Sequence, residues 1–240
     1  MAQRVPIEEK DWTLALVLGS FRKCYWEIID KPKEEQKRGS LNLFVDLQGL
    51  IGEIVVVRDA LRRGATIGYH SVLDLGPSYR PGDVQVDSQH LEVKGKILRG
   101  FKNEYVLANC AAFDRAVSNG VTSLVPVVTH LASPVALLAD AVPAKDVQSW
   151  EVLAFHYGAP AYARRLRDDI VDQVPKGDEE ALWRKASTVQ EAVAKALRRL
   201  DKKALGRLEQ RSRSLDFDQA SYLIVSTLAR IVSPEFSPYR

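Results

Sequence analysis

The chain has 240 residues, 46% of them hydrophobic and 27% charged, with a net charge of +3. That is an ordinary globular balance for one large domain or two small ones, and it excludes a uniformly basic polycation. No apolar run approaches the ~20 residues needed to span a bilayer. The segment Met1 to Lys10 has no apolar signal-peptide core, so a cytoplasmic location is expected and no membrane partner. Cys24 and Cys110 lie in apolar, helix-like stretches and read as buried thiols in a reducing compartment. With no Cys/His cluster, structural zinc is not expected.

Apolar positions at helical spacing from Trp12 to Ile29 (Leu14, Leu16, Val17, Phe21, Trp26) predict a first helix. The charged stretch Lys31 to Ser40 follows as a connection. A second helix is predicted from about Asp46 to Arg63, ending at Gly64, although the β-branched run Ile54 to Val57 opposes it on propensity. From Thr66 to Lys96 short strand-like segments alternate with Gly, Pro and Asp, with a loop over Gly76 to Gly82. Asn103 to Ser118 reads as a helix closed by Asn119-Gly120. Ser123 to Thr129 reads as a buried strand in which Pro126 argues for an edge or a bulge. Tyr162 to Val174, Glu179 to Arg213 and Phe217 to Val232 read as helices. Between Arg184 and Arg213 ten Lys or Arg residues face three acids, a candidate contact surface for phosphates.

The chemistry concentrates in Asp83 to Lys94. If Asp87-Ser88 is a two-residue turn, paired positions sum to 175, although neither residue is the glycine such turns prefer. Alternation then puts Val84, Val86, Leu91 and Val93 on one face and Asp83, Gln85, His90, Glu92 and Lys94 on the other. Asp83 falls opposite Glu92, where like charges ~4.5–5.5 Å apart repel unless a cation lies between them. Mg²⁺ accepts one or two carboxylates and completes its shell with water and phosphate oxygens. Lys94, about 7 Å along the same face from Glu92, can orient an attacking water. A Glu-x-Lys triplet alone is common on solvent-facing strands, so the register carries the reading. Asp87 competes with Asp83 as the first acid if the turn is longer.

This pattern resembles the PD-(D/E)XK nuclease superfamily: Arg80-Pro81-Gly82-Asp83, then Glu92-Val93-Lys94 on the next strand, after a helix carrying Gly49-Leu-Ile-Gly-Glu53. A glycine separates Pro81 from Asp83, a departure from the strict motif. The resemblance covers roughly Asp46 to His130. It implies an α/β fold with a restriction-endonuclease-like core, a central mixed sheet flanked by helices, at residues 41–150. Residues 1–40 are then an N-terminal helical segment, and 151–240 a helical region for nucleic-acid binding or dimerisation. It further implies a Mg²⁺-dependent nuclease, with Mn²⁺ able to substitute, acting on DNA with RNA not excluded. Asp83, Glu92 and Glu53 would hold the metal and Lys94 the water, with Asp46 a weaker candidate that also reads as a helix cap. Gln85 and His90 would stand beside the site as supporting residues. Lys96, Lys102, Arg198, Arg199, Lys202 and Lys203 would contact the nucleic acid. A homodimer or a further protein partner is compatible with this reading. The rival is a nucleic-acid-binding or scaffold protein that keeps the fold without catalysis. No phosphate loop of the G-x-x-x-x-G-K-[ST] type supports a motor.

Overall fold

The structure, a computed structural model, describes residues 3–28, 43–70, 81–98, 115–146, 174–200, 202–212, 219, 222–223 and 225–227. The fold is mixed α/β. Strand β1 (Gln3–Pro6) leads into helix α1 (Glu9–Ile28), and helix α2 (Leu43–Arg62) is followed by β2 (Ile67–His70), β3 (Val84–Val86) and β4 (Gln89–Leu98). Strands β5 (Ser123–His130), β6 (Val135–Leu138) and β7 (Val142–Pro143) come next, then helices α3 (Glu179–Leu197) and α4 (Lys202–Ser212). The strands make one sheet in the order β1-β6-β5-β4-β3-β2, with β7 also on β5. Among the described strands only β4 and β5 run parallel.

Helix α2 lies on the sheet, and α1 bridges α2 to α3. Leu47, Leu50, Ile51, Ile54, Val55 and Val57 of α2 are all buried. That burial outweighs the helix cost of the β-branched run, because packing overrides a propensity difference of a few tenths of a kcal/mol per residue. The helix stops as expected: Gly64 takes φ +76 and the Ala65 N–H returns to the Ala60 carbonyl at 3.0 Å. Where α2 crosses β4, glycine meets glycine. A Cβ on Gly52 would lie 2.8 Å from the Gly95 Cα, and one on Gly95 would lie 1.7 Å from the Gln48 carbonyl oxygen. The helix rests directly on strand backbone there.

Buried acids tie the layers together. Asp11 accepts from the Glu8 N–H at 3.0 Å and pairs with Arg58 of α2 at 3.2 Å. Asp59 accepts from Gln3 at 3.0 Å and pairs with Arg63 at 2.8 Å. Trp12 donates from Nε1 to the Ser133 carbonyl at 2.8 Å, anchoring α1 to the β5–β6 turn. One core cluster takes residues from Val5 to Val225, including Leu182, Val189 and Val193 of α3.

The sequence-based expectations need three amendments. Pro126 lies on an interior strand rather than an edge, at a one-residue register shift between the pairings Leu124–Val142 and Val127–Leu138, as a bulge requires. It sits between the β7 ladder (Ser123–Leu124) and the β6 ladder (Val127–Thr129), and its carbonyl accepts from Ala139 at 3.0 Å. A missing N–H costs nothing in that gap. The stretch from Glu179 to Arg213 is two helices, because the chain tightens into a turn at Arg198–Leu200, where Leu200 donates to Leu197. Strands β1, β6 and β7 carry no clear alternation and were not expected. Of the helix expected over Asn103 to Ser118 only 115–118 is described, and it is helical. The helix expected over Tyr162 to Val174 falls outside the described residues, apart from Val174. No described helix is long and apolar enough to cross a membrane.

Candidate functional site

The β3–β4 hairpin has the register read from the sequence: Val84 pairs with Leu91, Gln85 with His90 and Val86 with Gln89. Its turn works without glycine because Asp87 adopts φ +52, a conformation Asp tolerates better than most residues. The Asp87 carboxylate accepts from the Thr66 N–H at 2.9 Å, while its own N–H donates to the Thr66 carbonyl at 2.8 Å. Asp87 is thus spent on holding the turn to β2. Asp83 stands at the other end of β3.

The ladder ends at Val84–Leu91, so the expected direct pairing of Asp83 with Glu92 does not form. Instead the Asp83 N–H donates to the Leu91 carbonyl at 2.7 Å, and its Oδ2 accepts from the Val93 N–H at 2.8 Å. Gly82, at φ +75, permits this bend, since a Cβ there would lie 2.5 Å from the Leu91 carbonyl oxygen. Strand β4 runs on to Leu98, and among the described strands none pairs with this side of it beyond Leu91. Side chains fill the gap. Asp83 takes the Val93 N–H, and Gln48 Oε1 of α2 takes the Ile97 N–H at 3.2 Å.

Four predicted residues come together around this opening. Leu91, Val93 and Ile97 of β4 are buried, and the alternate positions carry Glu92 and Lys94, whose side chains are 15% and 23% exposed. Lys94 Nζ donates to Glu92 Oε1. Glu53 is buried to 5% exposure on α2, with the Arg22 guanidinium of α1 4.0 Å from its Oε2. Burial, then the charges of Glu53 and Glu92, push the Asp83 pKa up to about 8 against the pull of Lys94 and the Val93 N–H. Burial alone would lower the Lys94 pKa, but Glu92, Asp83 and Glu53 outweigh it and the ammonium is held more firmly. A carboxyl raised by desolvation and like charges, beside a lysine held charged, is the kind of perturbation that marks functional sites.

Asp46 lies inside the first turn of α2 rather than at its cap. Its pKa is raised to about 6 by burial, against Arg22 and Lys23, and its Oδ2 is buried without a hydrogen-bond partner. Gln85 is turned towards the hairpin turn, donating to the Asp87 carbonyl at 3.1 Å. His90 is tied through its backbone to Thr122, with its N–H on Thr122 Oγ1 at 2.9 Å. Lys96 is half-buried two positions beyond Lys94 on β4. Arg198, Arg199 and Lys203 are exposed at the α3–α4 junction, and α3 packs chiefly on α1. Lys102 and the side chain of Lys202 lie outside the described residues. Gln48 and Arg22 stand beside the site and had no sequence signal, because each is one of several polar residues on its helix and only the three-dimensional crossing gives it its partner.

The donor set is all carboxylate oxygen, which suits a hard cation. Among the described residues no set of three or more His, Cys, Asp or Glu side chains is grouped so as to hold a metal ion. Mg²⁺ does not require one, since one or two carboxylates and water suffice. Asp83 and Glu92 therefore fit the group. Comparison with models of protein families, with curated proteins and with solved structures finds no match to this chain.

Proposed function

We propose that the chain is a Mg²⁺-dependent nuclease that hydrolyses phosphodiester bonds in DNA, built on a restriction-endonuclease-like core. The observation that carries this reading is the meeting of Glu53, Asp83, Glu92 and Lys94 where β3 ends and β4 continues. The element order supports it too. A helix, a three-stranded antiparallel meander (β2, β3, β4) and a further strand parallel to the third follow the order that the PD-(D/E)XK resemblance implies.

Asp83 and Glu92, assisted by Glu53, would hold the cation, whose chemistry when bound is to polarise a phosphoryl oxygen and acidify water. Burial and the charges of Glu53 and Glu92 favour a proton on the Asp83 carboxyl, and a cation held by these acids would favour the carboxylate instead. Lys94 Nζ moves its hydrogen bond from Glu92 to the attacking water, and its charge offsets the negative charge developing on the phosphorane. The glycine crossing of α2 on β4 fixes how deep Glu53 sits. Lys96, two residues further along β4, would meet the adjacent phosphate.

The test is incubation with linear, circular and branched DNA, and with RNA, in Mg²⁺, Mn²⁺ or EDTA. Lys94→Ala should lower the cleavage rate by about 10²–10³-fold, the usual loss of one transition-state donor, with the fold intact. Cleavage that survives in Lys94→Ala and in Asp83→Ala refutes the site. A second reading, a binding scaffold without catalysis, draws on the Lys94–Glu92 ion pair, which already occupies both groups. Binding without cleavage in any metal selects it.

A further inference from the structure

We propose that the exposed face of α4, led by Lys203, Arg207 and Arg211, is a docking surface for the phosphate backbone of a nucleic-acid duplex, separate from the acidic cluster. The identity of the partner rests on the nuclease reading; the surface itself rests on α4. These three residues recur at i, i+4 and i+8, so they share one side of the helix, and all three are exposed, as is Gln210. Over eight residues the stripe extends about 12 Å, which matches three to four phosphates of one strand at ~3.4 Å of axis each. Arg198 and Arg199, a few residues before α4 in the chain, are exposed as well. Between Lys195 and Arg211 seven Lys or Arg residues face two acids, Asp201 and Glu209, and the first turn of α4 has no acid.

Two observations select the partner. A basic amphipathic helix can also lie on a membrane, but it must then present its apolar side to lipid. In α4 that side is already used, because Leu208 is buried in the protein. Single strands are gripped largely by aromatic stacking. Lys203, Arg207, Gln210 and Arg211 offer charge and hydrogen bonds but no ring, which suits the outside of a duplex. Such contacts position a nucleic acid without reading its sequence.

The test uses the full chain in EDTA, where the proposed cleavage is silent, and a fluorescein-labelled 30-base-pair DNA followed by anisotropy from 50 to 300 mM NaCl. The triple variant Lys203→Gln/Arg207→Gln/Arg211→Gln should bind at least tenfold more weakly at 100 mM salt, and its plot of log K against log[salt] should be shallower by about 2–3, at ~0.9 per lost phosphate contact. Arg207→Lys/Arg211→Lys, which keeps the charges, should retain the wild-type slope. Circular dichroism and a thermal melt check that the fold survives; if the triple variant unfolds, Arg207→Gln alone should still reduce the slope by about one. An unchanged slope, or tighter binding by wild type to single strands or to vesicles containing phosphatidylserine, overturns the proposal. A triple variant that loses binding in a protein that never cuts leaves this surface standing and removes the nuclease reading.

Discussion

Asp83→Asn separates stability from function at one atom. The folded protein raises the Asp83 pKa from 3.8 to about 8, so between these values the folded state keeps a proton that the unfolded chain has lost. The contribution of this group to stability is therefore full below about pH 4 and disappears as pH rises through about 8. The shift corresponds to a ceiling of about 6 kcal/mol at 1.36 kcal/mol per unit. Part of that shift belongs to the neighbours that cause it, so about 1–3 kcal/mol is expected at this single position. Asparagine keeps an oxygen for the Val93 N–H and removes the charge. In EDTA, urea unfolding should show Asp83→Asn more stable than wild type by that amount at pH 8.5, and equal to it near pH 4. Saturating Mg²⁺ should restore the wild type at pH 8.5 by mass action and leave Asp83→Asn unchanged. A variant no more stable than wild type at pH 8.5, or a difference that does not vary with pH, refutes this account of the site.

Two structural predictions follow from the framework around it. Gly95→Ala places a Cβ 1.7 Å from the Gln48 carbonyl oxygen, so α2 must lift from the sheet. The expected loss is about 3 kcal/mol or more in chemical denaturation, with any cleavage lost more steeply because Glu53 moves with the helix. Trp12→Phe keeps most of the buried ring but leaves the Ser133 carbonyl without its donor; it should cost about 1–3 kcal/mol, read as a lower urea midpoint at unchanged slope.

The hairpin register was legible because a two-residue turn and strict alternation leave one arrangement that buries Val84, Val86, Leu91 and Val93 together. The choice between Asp83 and Asp87 was not. It depends on Thr66, a residue distant in sequence that engages the backbone and carboxylate of Asp87. The cross-strand pairing of Asp83 is not legible either, since pattern alone does not reveal where a ladder stops and a side chain takes over. Helix α2 was legible through its length and its terminal glycine. Its contact with β4 was not, because Gly52 and Gly95 signal a close approach only once their partners are known. Strands β1 and β6 are illegible for a similar reason: each is four residues long, and their pairing, from Gln3–Leu138 to Pro6–Val135, leaves no local period.

The open side of β4 also bears on how the protein avoids its own copies. An interrupted ladder displays free amides, and such an edge invites a strand from another molecule. Here Asp83 and Gln48 already occupy the Val93 and Ile97 amides, and charged Glu92 and Lys94 flank the same run. An incoming strand would have to displace two seated acceptors and bury two charges. The residues proposed to act at this opening thus also keep it from becoming adhesive, and Asp83→Ala uncovers the Val93 amide.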